Sequence, residues 1–325
     1  MLDQKLLVFP IAKSTELLFI NQTAFNRFAA ATGVTMESQL TNEGVLDAAL
    51  RYAAWTDGQT PDVPGDARNF FMYNDLFNYF QTGIVSLGGN FFAEKQINFN
   101  DPRWQAVWDP FAKGAIAGGI SLIDGFASDP MKTEEVISST GSSAGVLYYR
   151  DTVTHADNTT EKIEFNILPY PMFENGQKMV IQRGCGLCAA KSTPEKEYAA
   201  SIFARWLTSP DINTAFVTSA GYLPVTNDAF AKLFDQDLET IENPTYRKLY
   251  QAAKVLHEEY TFYTPPYFDE YAALETKFSQ RVKEVLRNAR QEYLSRVALG
   301  EDQNLLLDEL AAKSFNTLQS MLNES

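Results

Sequence analysis

Residues 191–226 read "KSTPEKEYAASIFARWLTSPDINTAFVTSAGYLPVT". Thr193 can cap a helix whose first position is Pro194, where the missing N–H costs nothing. Tyr198, Ala199, Ile202, Phe203, Trp206 and Leu207 then recur at helical spacing and form one broad apolar face. Ser209 and Pro210 repeat the start signal for a second, shorter helix carrying Ile212, Phe216 and Val217. Gly221 is placed to end that helix in a left-handed conformation. The "YLPV" that follows must be extended, because Pro224 disfavours a helical residue before it.

Working outward, the C-terminal third is helical. Leu274, Phe278, Val282, Val285, Ala289 and Tyr293 step by three or four, Gly300 closes that helix, and Leu307, Leu310, Ala311, Leu318 and Leu322 line the last one. Toward the N terminus, "KLLVFPI" (5–11) and "ELLFI" (16–20) read as strands separated by the polar turn "AKST". A helix over 22–31 closes at Gly33, and Thr41 caps another beginning "NEGVLDAAL". "TDGQTPDVPGDARN" (56–69) has the composition of a long loop, and the aromatic run "FFMYNDLFNYF" (70–80) reads as helix. Residues 102–117 are helical, "TEEVIS" (133–138) reads as helix, and "GVLYY" (145–149) and "IEFNIL" (163–168) read as buried strands.

With 325 residues, the chain suits two lobes or one large α/β body. Aromatics at 13%, with 23 Phe and 15 Tyr, imply a folded protein. The formal charge of -14 repels a polyanion, so nucleic acid is not expected as a partner. In "RVKEVLRNAR" (281–290), Arg281, Lys283, Arg287 and Arg290 spread around a helix, the pattern of a solvated face. No apolar run approaches the roughly 20 residues of a membrane span, and the opening residues lack a secretory leader, so the chain as written carries no export signal. His155, His257 and two cysteines are too few for a transition-metal cage, so no metal and no cofactor is expected.

These signals, in this order, resemble the type 1 extracellular solute-binding proteins of ABC importers, the family that includes the maltose- and glycerol-3-phosphate-binding proteins. "VFPIAKSTELLFINQTAF" (8–25) looks like the crossover where such a chain leaves the first lobe, and 191–226 is similar to the family's helix pair with its Gly-Tyr-Leu-Pro ending. The resemblance implies an α/β, periplasmic-binding-protein-like two-lobe fold of type II topology, with the second lobe complete and the first partial. Residues 1–12 and 181–234 would form the partial first lobe and hinge, and 13–180 with 235–325 the second lobe. Such proteins open with an export signal and a βαβ-rich first lobe, and an upstream piece is expected to be missing here. Ile202, Phe203, Trp206 and Phe216 would then lack partners, predicting self-association, chain exchange or disorder at 194–219.

In that family the segment matching "VIQRGCGLCAA" is a strand. Cys185 and Cys188, three apart on a strand, would lie about 10 Å apart, beyond disulfide reach. A redox pair belongs at a helix N-terminus, and the next helix begins only at Pro194, so both cysteines are read as small, buried and inert. Gly184 and Gly186 would let a ligand or the opposing lobe approach the backbone. "GSSAG" (141–145) matches the esterase G-x-S-x-G with Ser143 as nucleophile, but a helix before and a strand after it are the wrong context. Glu134 with Glu135, and Glu258 with Glu259, are adjacent and point apart, as solvated surface acids do rather than a glycosidase pair.

The resemblance implies no catalysis. It implies capture of a small polar solute between closing lobes, with aromatic faces on apolar sugar surfaces. Three regions match the family's cleft-lining positions: Asn69, Phe70, Phe71 and Tyr73; Tyr148, Tyr149, Arg150 and Asp151; and Tyr267, Phe268 and Asp269. Where glycerol-3-phosphate binders carry a basic residue, "PPYFDEY" (265–271) offers acids, which favours a neutral sugar, oligosaccharide or polyol. The implied partners are that solute and the permease subunits of an ABC transporter, with the membrane touched only through the transporter or an anchor. The implied compartment is periplasmic or cell-surface. The competing readings are a serine hydrolase using Ser143 and a truncated, ligand-free relic.

Overall fold

The computed structural model describes residues 7–60, 62–63 and 65–323. Residues 1–6, part of the first expected strand and of the segment 1–12, lie outside them. Two strands follow one another at the start, β1 (Phe9–Ser14) and β2 (Glu16–Asn21). The expected turn at 12–15 shrinks to Thr15. Ala12, Lys13 and Ser14 stay extended because they pair with Cys185, Gly184 and Arg183, and Lys13 also exchanges backbone hydrogen bonds of 2.8 and 2.7 Å with Leu223. Backbone pairing across the chain outweighs the polar side chains' turn preference.

All of β2 is buried at the centre of a mixed four-stranded sheet. Its order is β3 (Asn69–Met72), β4 (Val136–Ser142), β2 and β5 (Phe165–Pro169), with β3 parallel to β4 and β2 antiparallel to both neighbours. Because successive side chains point to opposite faces, Leu18 and Ile20 enter one core and Leu17 and Phe19 another.

Two expectations fail in this sheet. The run 70–80 is not one helix: Phe70 to Met72 belong to β3, and Asp75 caps a helix only from Leu76. Phe70 and Phe71 donate to the Gly119 carbonyl at 2.7 and 3.1 Å, an anchorage that a helix would break. Likewise 133–149 inverts: "VISSTGS" is strand β4, and Ser143–Tyr148 is a 3-10 turn. β4 pairs on both edges and buries Ser138, Ser139 and Thr140 completely, so small hydroxyl side chains occupy a central strand. Glu134, at φ +59°, interrupts any helix before it.

The helices follow their sequence signals closely. α1 (Gln22–Thr32) ends at Gly33 with φ +76°, and α2 (Asn42–Asp57) starts where the Thr41 side chain accepts from Gly44 N–H. α3 (Leu76–Ser86) and α4 (Trp104–Ala117) pack with two C-terminal helices around Phe77, Phe80, Trp104, Trp108 and Phe278. Beyond the sheet run β6 (Met179–Ile181) and β7 (Arg183–Leu187), the latter paired antiparallel with β1. Next come α5 (Pro194–Leu207), α6 (Pro210–Thr218), α7 (Asn227–Ala231) and α8 (Pro244–Glu259), then β8 (Thr261–Tyr263), parallel to β6. α9 (Tyr271–Val297) and α10 (Gln303–Asn323) close the chain. Among the described residues no helix is long and apolar enough to cross a membrane.

α5 is well capped yet nearly uncovered: only Ala204 is buried, while Tyr198, Ile202, Phe203 and Trp206 each expose half or more of their surface. Phe216 is half-buried. Four large apolar side chains in one stripe are expected to bind the dye ANS and to drive concentration-dependent association in sedimentation velocity. Lysine at Ile202 and Trp206 together should remove both signals and change folding stability by less than about 1 kcal/mol, since both sites are half exposed. Dye binding unchanged by the double substitution would show that this stripe is not the exposed apolar surface.

Candidate functional site

At the C-terminal ends of the parallel strands β3 and β4 lies an open cavity of about 540 Å³. This is where open α/β sheets place ligands, since the loops leaving adjacent strands diverge there. Its walls include Asn74, Phe126, Asp129, Ser142, Tyr148, Tyr149 and Tyr222. Asn74 follows β3 and is fixed at both ends. Its N–H donates to Thr140 Oγ1 at 3.1 Å and its Oδ1 accepts from Ala127 N–H at 3.1 Å.

Tyr149 stacks on Phe19 with ring centroids 4.0 Å apart, and its hydroxyl lies 3.0 Å from Ser139 Oγ. Burial pushes its phenol well above the ordinary range. Tyr222 arrives from the other side. Gly221, at φ +73°, lets that turn sit on the 3-10 segment, since a Cβ there would lie 2.5 Å from the Ser143 carbonyl oxygen. The Tyr250 hydroxyl donates to the Tyr222 carbonyl at 3.0 Å and holds the turn. Among the described residues Asp129 is the single charged group in the lining, and Lys132 lies 2.7 Å from it.

Directly behind this wall is a knot of charge. Arg183 Nη2, from β7, donates to Asp75 Oδ2 at 3.2 Å, Asn78 Oδ1 at 2.7 Å and Glu275 Oε1 at 2.9 Å. Asn78 Nδ2 donates in turn to Glu16 Oε1 at 2.8 Å, while buried Glu16 Oε2 makes no hydrogen bond among the described residues. Burial, and secondarily the Asp75 charge, push the Glu16 carboxyl up to about 8; the Asn78 hydrogen bond and Arg183 pull the other way. Asp75 is also raised, first by burial, with the Asn78 N–H and Arg183 opposing.

Of the expected cleft residues, Tyr148 and Tyr149 line this cavity. The others do not. Phe70, Phe71 and Tyr73 are core side chains, the last donating its hydroxyl to Asn42 Oδ1 at 2.7 Å. Asn69 Nδ2 donates to the Gly118 carbonyl at 2.7 Å. Arg150 and Asp151 are exposed past the 3-10 turn, and Asp151 lies 4.0 Å from Lys162. Phe268 packs edge-on against Phe92, while Tyr267 and Asp269 are exposed. At Gly184 and Gly186 a Cβ would lie 2.3 Å from the Ala12 carbonyl oxygen and 2.7 Å from that of Phe9, so these glycines make room for β1.

Sequence reasoning missed Asn74, Phe126, Asp129, Ser142 and Tyr222. Only Tyr222 had a legible signal, its place after a left-handed glycine in "GYLP". Cys185 and Cys188 are free but exposed rather than buried, Cys185 on an uncovered face of β7 and Cys188 in the segment just after it. Ser143 follows a strand and enters a 3-10 turn, so the helix-to-strand context expected around G-x-S-x-G is not the one it has. Its hydroxyl is nevertheless fully buried and forms no hydrogen bond, to histidine or anything else among the described residues. One cluster among the described residues has metal-capable spacing, Glu134, His155 and Glu161 within 4.8 Å. Arg27 already holds both of its carboxylates, at 2.8 and 2.9 Å. Glu134 is thus half-buried and paired, not a solvated surface acid.

A mixed α/β body with a solute-sized cavity at the strand ends is a periplasmic-binding-protein-like fold. Residues 1–248 match the family described as bacterial extracellular solute-binding protein, and the chain belongs to that family. Similar solved structures include the cyclic α-maltosyl-1,6-maltose binding protein from Arthrobacter globiformis, 17% identical over 98% of this chain and 73% of that one, with TM-score 0.62. UgpB from Mycobacterium tuberculosis, solved with glycerophosphocholine, is 17% identical over 99% and 71%, with TM-score 0.64. Maltose-bound T. maritima MalE3 is 16% identical over 97% and 73%, with TM-score 0.61. No curated protein matches the chain.

Proposed function

We propose that this chain is the solute-capturing component of an ABC importer, non-catalytic and extracytoplasmic, holding a neutral sugar, oligosaccharide or polyol in the cavity at the ends of β3 and β4. The observation that carries this reading is the character of the lining. Phe126, Tyr148, Tyr149 and Tyr222 offer aromatic faces for C–H surfaces, and Asn74, Ser128 and Ser142 offer neutral hydrogen-bonding groups. Among the described residues no lysine, arginine or histidine lines the cavity, and Lys132 at its edge is paired with Asp129, so a phosphorylated solute would find no countercharge in the lining itself. In this reading 13–180 with 235–325 make the larger lobe, 1–12 with 181–234 contribute to the other, and permease subunits receive the loaded protein.

A thermal-shift screen of neutral sugars, polyols and their phosphate esters tests it. Ligand at a hundredfold over its Kd adds about 2.7 kcal/mol, a readily measured rise in Tm. Neutral members are expected to raise Tm, and Tyr148→Ala should weaken the responding solute roughly tenfold. A response confined to phosphate esters, or none at all, would end the reading. Ester turnover is expected to be absent in the wild-type protein and unaltered in Ser143→Ala; turnover lost on that substitution would favour the hydrolase instead.

A further inference from the structure

We propose that Arg183 is a positioning residue of the solute site, holding Asp75 and Glu275 together by charge so that the start of α3, and with it Asn74, is fixed in the cavity wall. This rests on the reading above for its function, although the fixing itself does not.

Arg183 is not among the cavity's lining residues. It extends from β7, whose strand partner among the described residues is β1, and reaches two other parts of the chain: Asp75 and Asn78 at the start of α3, and Glu275 in α9. The segments it joins are far apart in sequence, residues 75–78, 183 and 275. Asp75 is the N-cap of α3, accepting from Asn78 N–H at 2.9 Å. It is also the residue immediately after Asn74, so its position sets where Asn74 can project.

The local balance of charge makes the guanidinium necessary. Asp75 and Glu275 are each about three-quarters covered, at 23% and 25% side-chain exposure, and among the described residues Arg183 is the cation paired with both. Buried Glu16 lies behind, joined through Asn78. Without Arg183 the two carboxylates face each other in a partly desolvated space, where like charges repel strongly. Asp75 would swing toward solvent, giving up the cap and carrying Asn74 with it. Glu16 pairs across the sheet with Ser142, itself a lining residue, so the disturbance borders the cavity on a second side.

The test is amide hydrogen exchange on the whole chain in three forms: wild type, Arg183→Met and Arg183→Lys. The Met variant keeps the stem and removes the charge; the Lys variant keeps the charge and loses the guanidinium. Exchange at 74–80 is expected to quicken roughly tenfold to a hundredfold in Arg183→Met, with α2 and α8 unchanged, and lysine should restore most of the protection. Equal exchange in wild type and Arg183→Met overturns the proposal. So does an increase spread evenly over α2 and α8, or a Lys variant no better than Met. Maltose titration runs alongside as the probe of solute binding. If wild type binds it, Arg183→Met should bind at least about tenfold more weakly, and unchanged affinity overturns the positioning role. A wild-type protein that binds no neutral sugar fails the functional reading alone, while exchange still decides the clasp.

Discussion

Wild-type stability is expected to fall as pH rises from 4.5 to about 8, and Glu16→Gln is expected to flatten that fall. Glu16 is buried, accepts one hydrogen bond from Asn78, and leaves its other oxygen unbonded; burial and the Asp75 charge raise its carboxyl from 4.5 to about 8. A carboxyl that binds its proton more tightly when folded imposes no penalty below the unfolded value. Between the two values the unfolded chain releases the proton and the folded one must keep it, so stability drops by up to about 1.4 kcal/mol per pH unit. Over the full interval the loss is on the order of a few kcal/mol; burial shifts Asp75 in the same direction. The glutamine amide of the variant would carry the same oxygen toward Asn78 without a titrating proton. Urea unfolding at about pH 5, 6.5 and 8 separates the cases: the two proteins should differ by about 1 kcal/mol or less at the lowest pH, and the variant should be several kcal/mol more stable at the highest. Parallel curves across that range would show that Glu16 does not hold its proton.

Trp108→Ala is expected to cost roughly 3–5 kcal/mol, because a large side chain vanishes from a site that cannot collapse. Trp108 is about 1% exposed, its ring centroid lies 5.7 Å from Phe80 and 5.5 Å from Phe315, and its Nε1–H donates to the Ala311 carbonyl at 2.9 Å. Removal therefore opens a cavity between α4 and α10 and deletes a side-chain hydrogen bond that ties the two helices together. Tm should fall on the order of 10 °C, and α10 should become the first target of limited proteolysis. Trp206→Ala, on the uncovered face of α5, is the control and should cost about 1 kcal/mol or less. Comparable losses at the two tryptophans would mean that α10 is not docked as described.

Local grammar was most legible where a cap or a period decides an element alone. Thr41, Thr193 and Gly33 marked their helix ends correctly, and the apolar steps from Leu274 to Tyr293 traced α9 without help from tertiary contacts. What was misread lies in the sheet. Phe70 and Phe71 suit helix or strand equally by composition, and only the bonds to Gly119 and the register with β4 choose. "VISSTGS" hides a central strand, since its buried positions are filled by Ser and Thr that packing, not hydrophobicity, demands. The cavity was half legible for a related reason. Tyr148 and Tyr149 stood beside an obvious apolar run, whereas Asn74, Phe126 and Tyr222 come from three loops that sequence separates and topology joins.

The uncovered face of β7 has a practical consequence. Cys185 on it and Cys188 just after it are the only cysteines in the chain, both are exposed, and Cys185 sits two residues from Arg183. A maleimide fluorophore would attach there without any residue being engineered in or out. Under the proposed function, its emission is expected to change when solute binds or the Arg183 contacts break, which would make the chain a scaffold for an optical sensor.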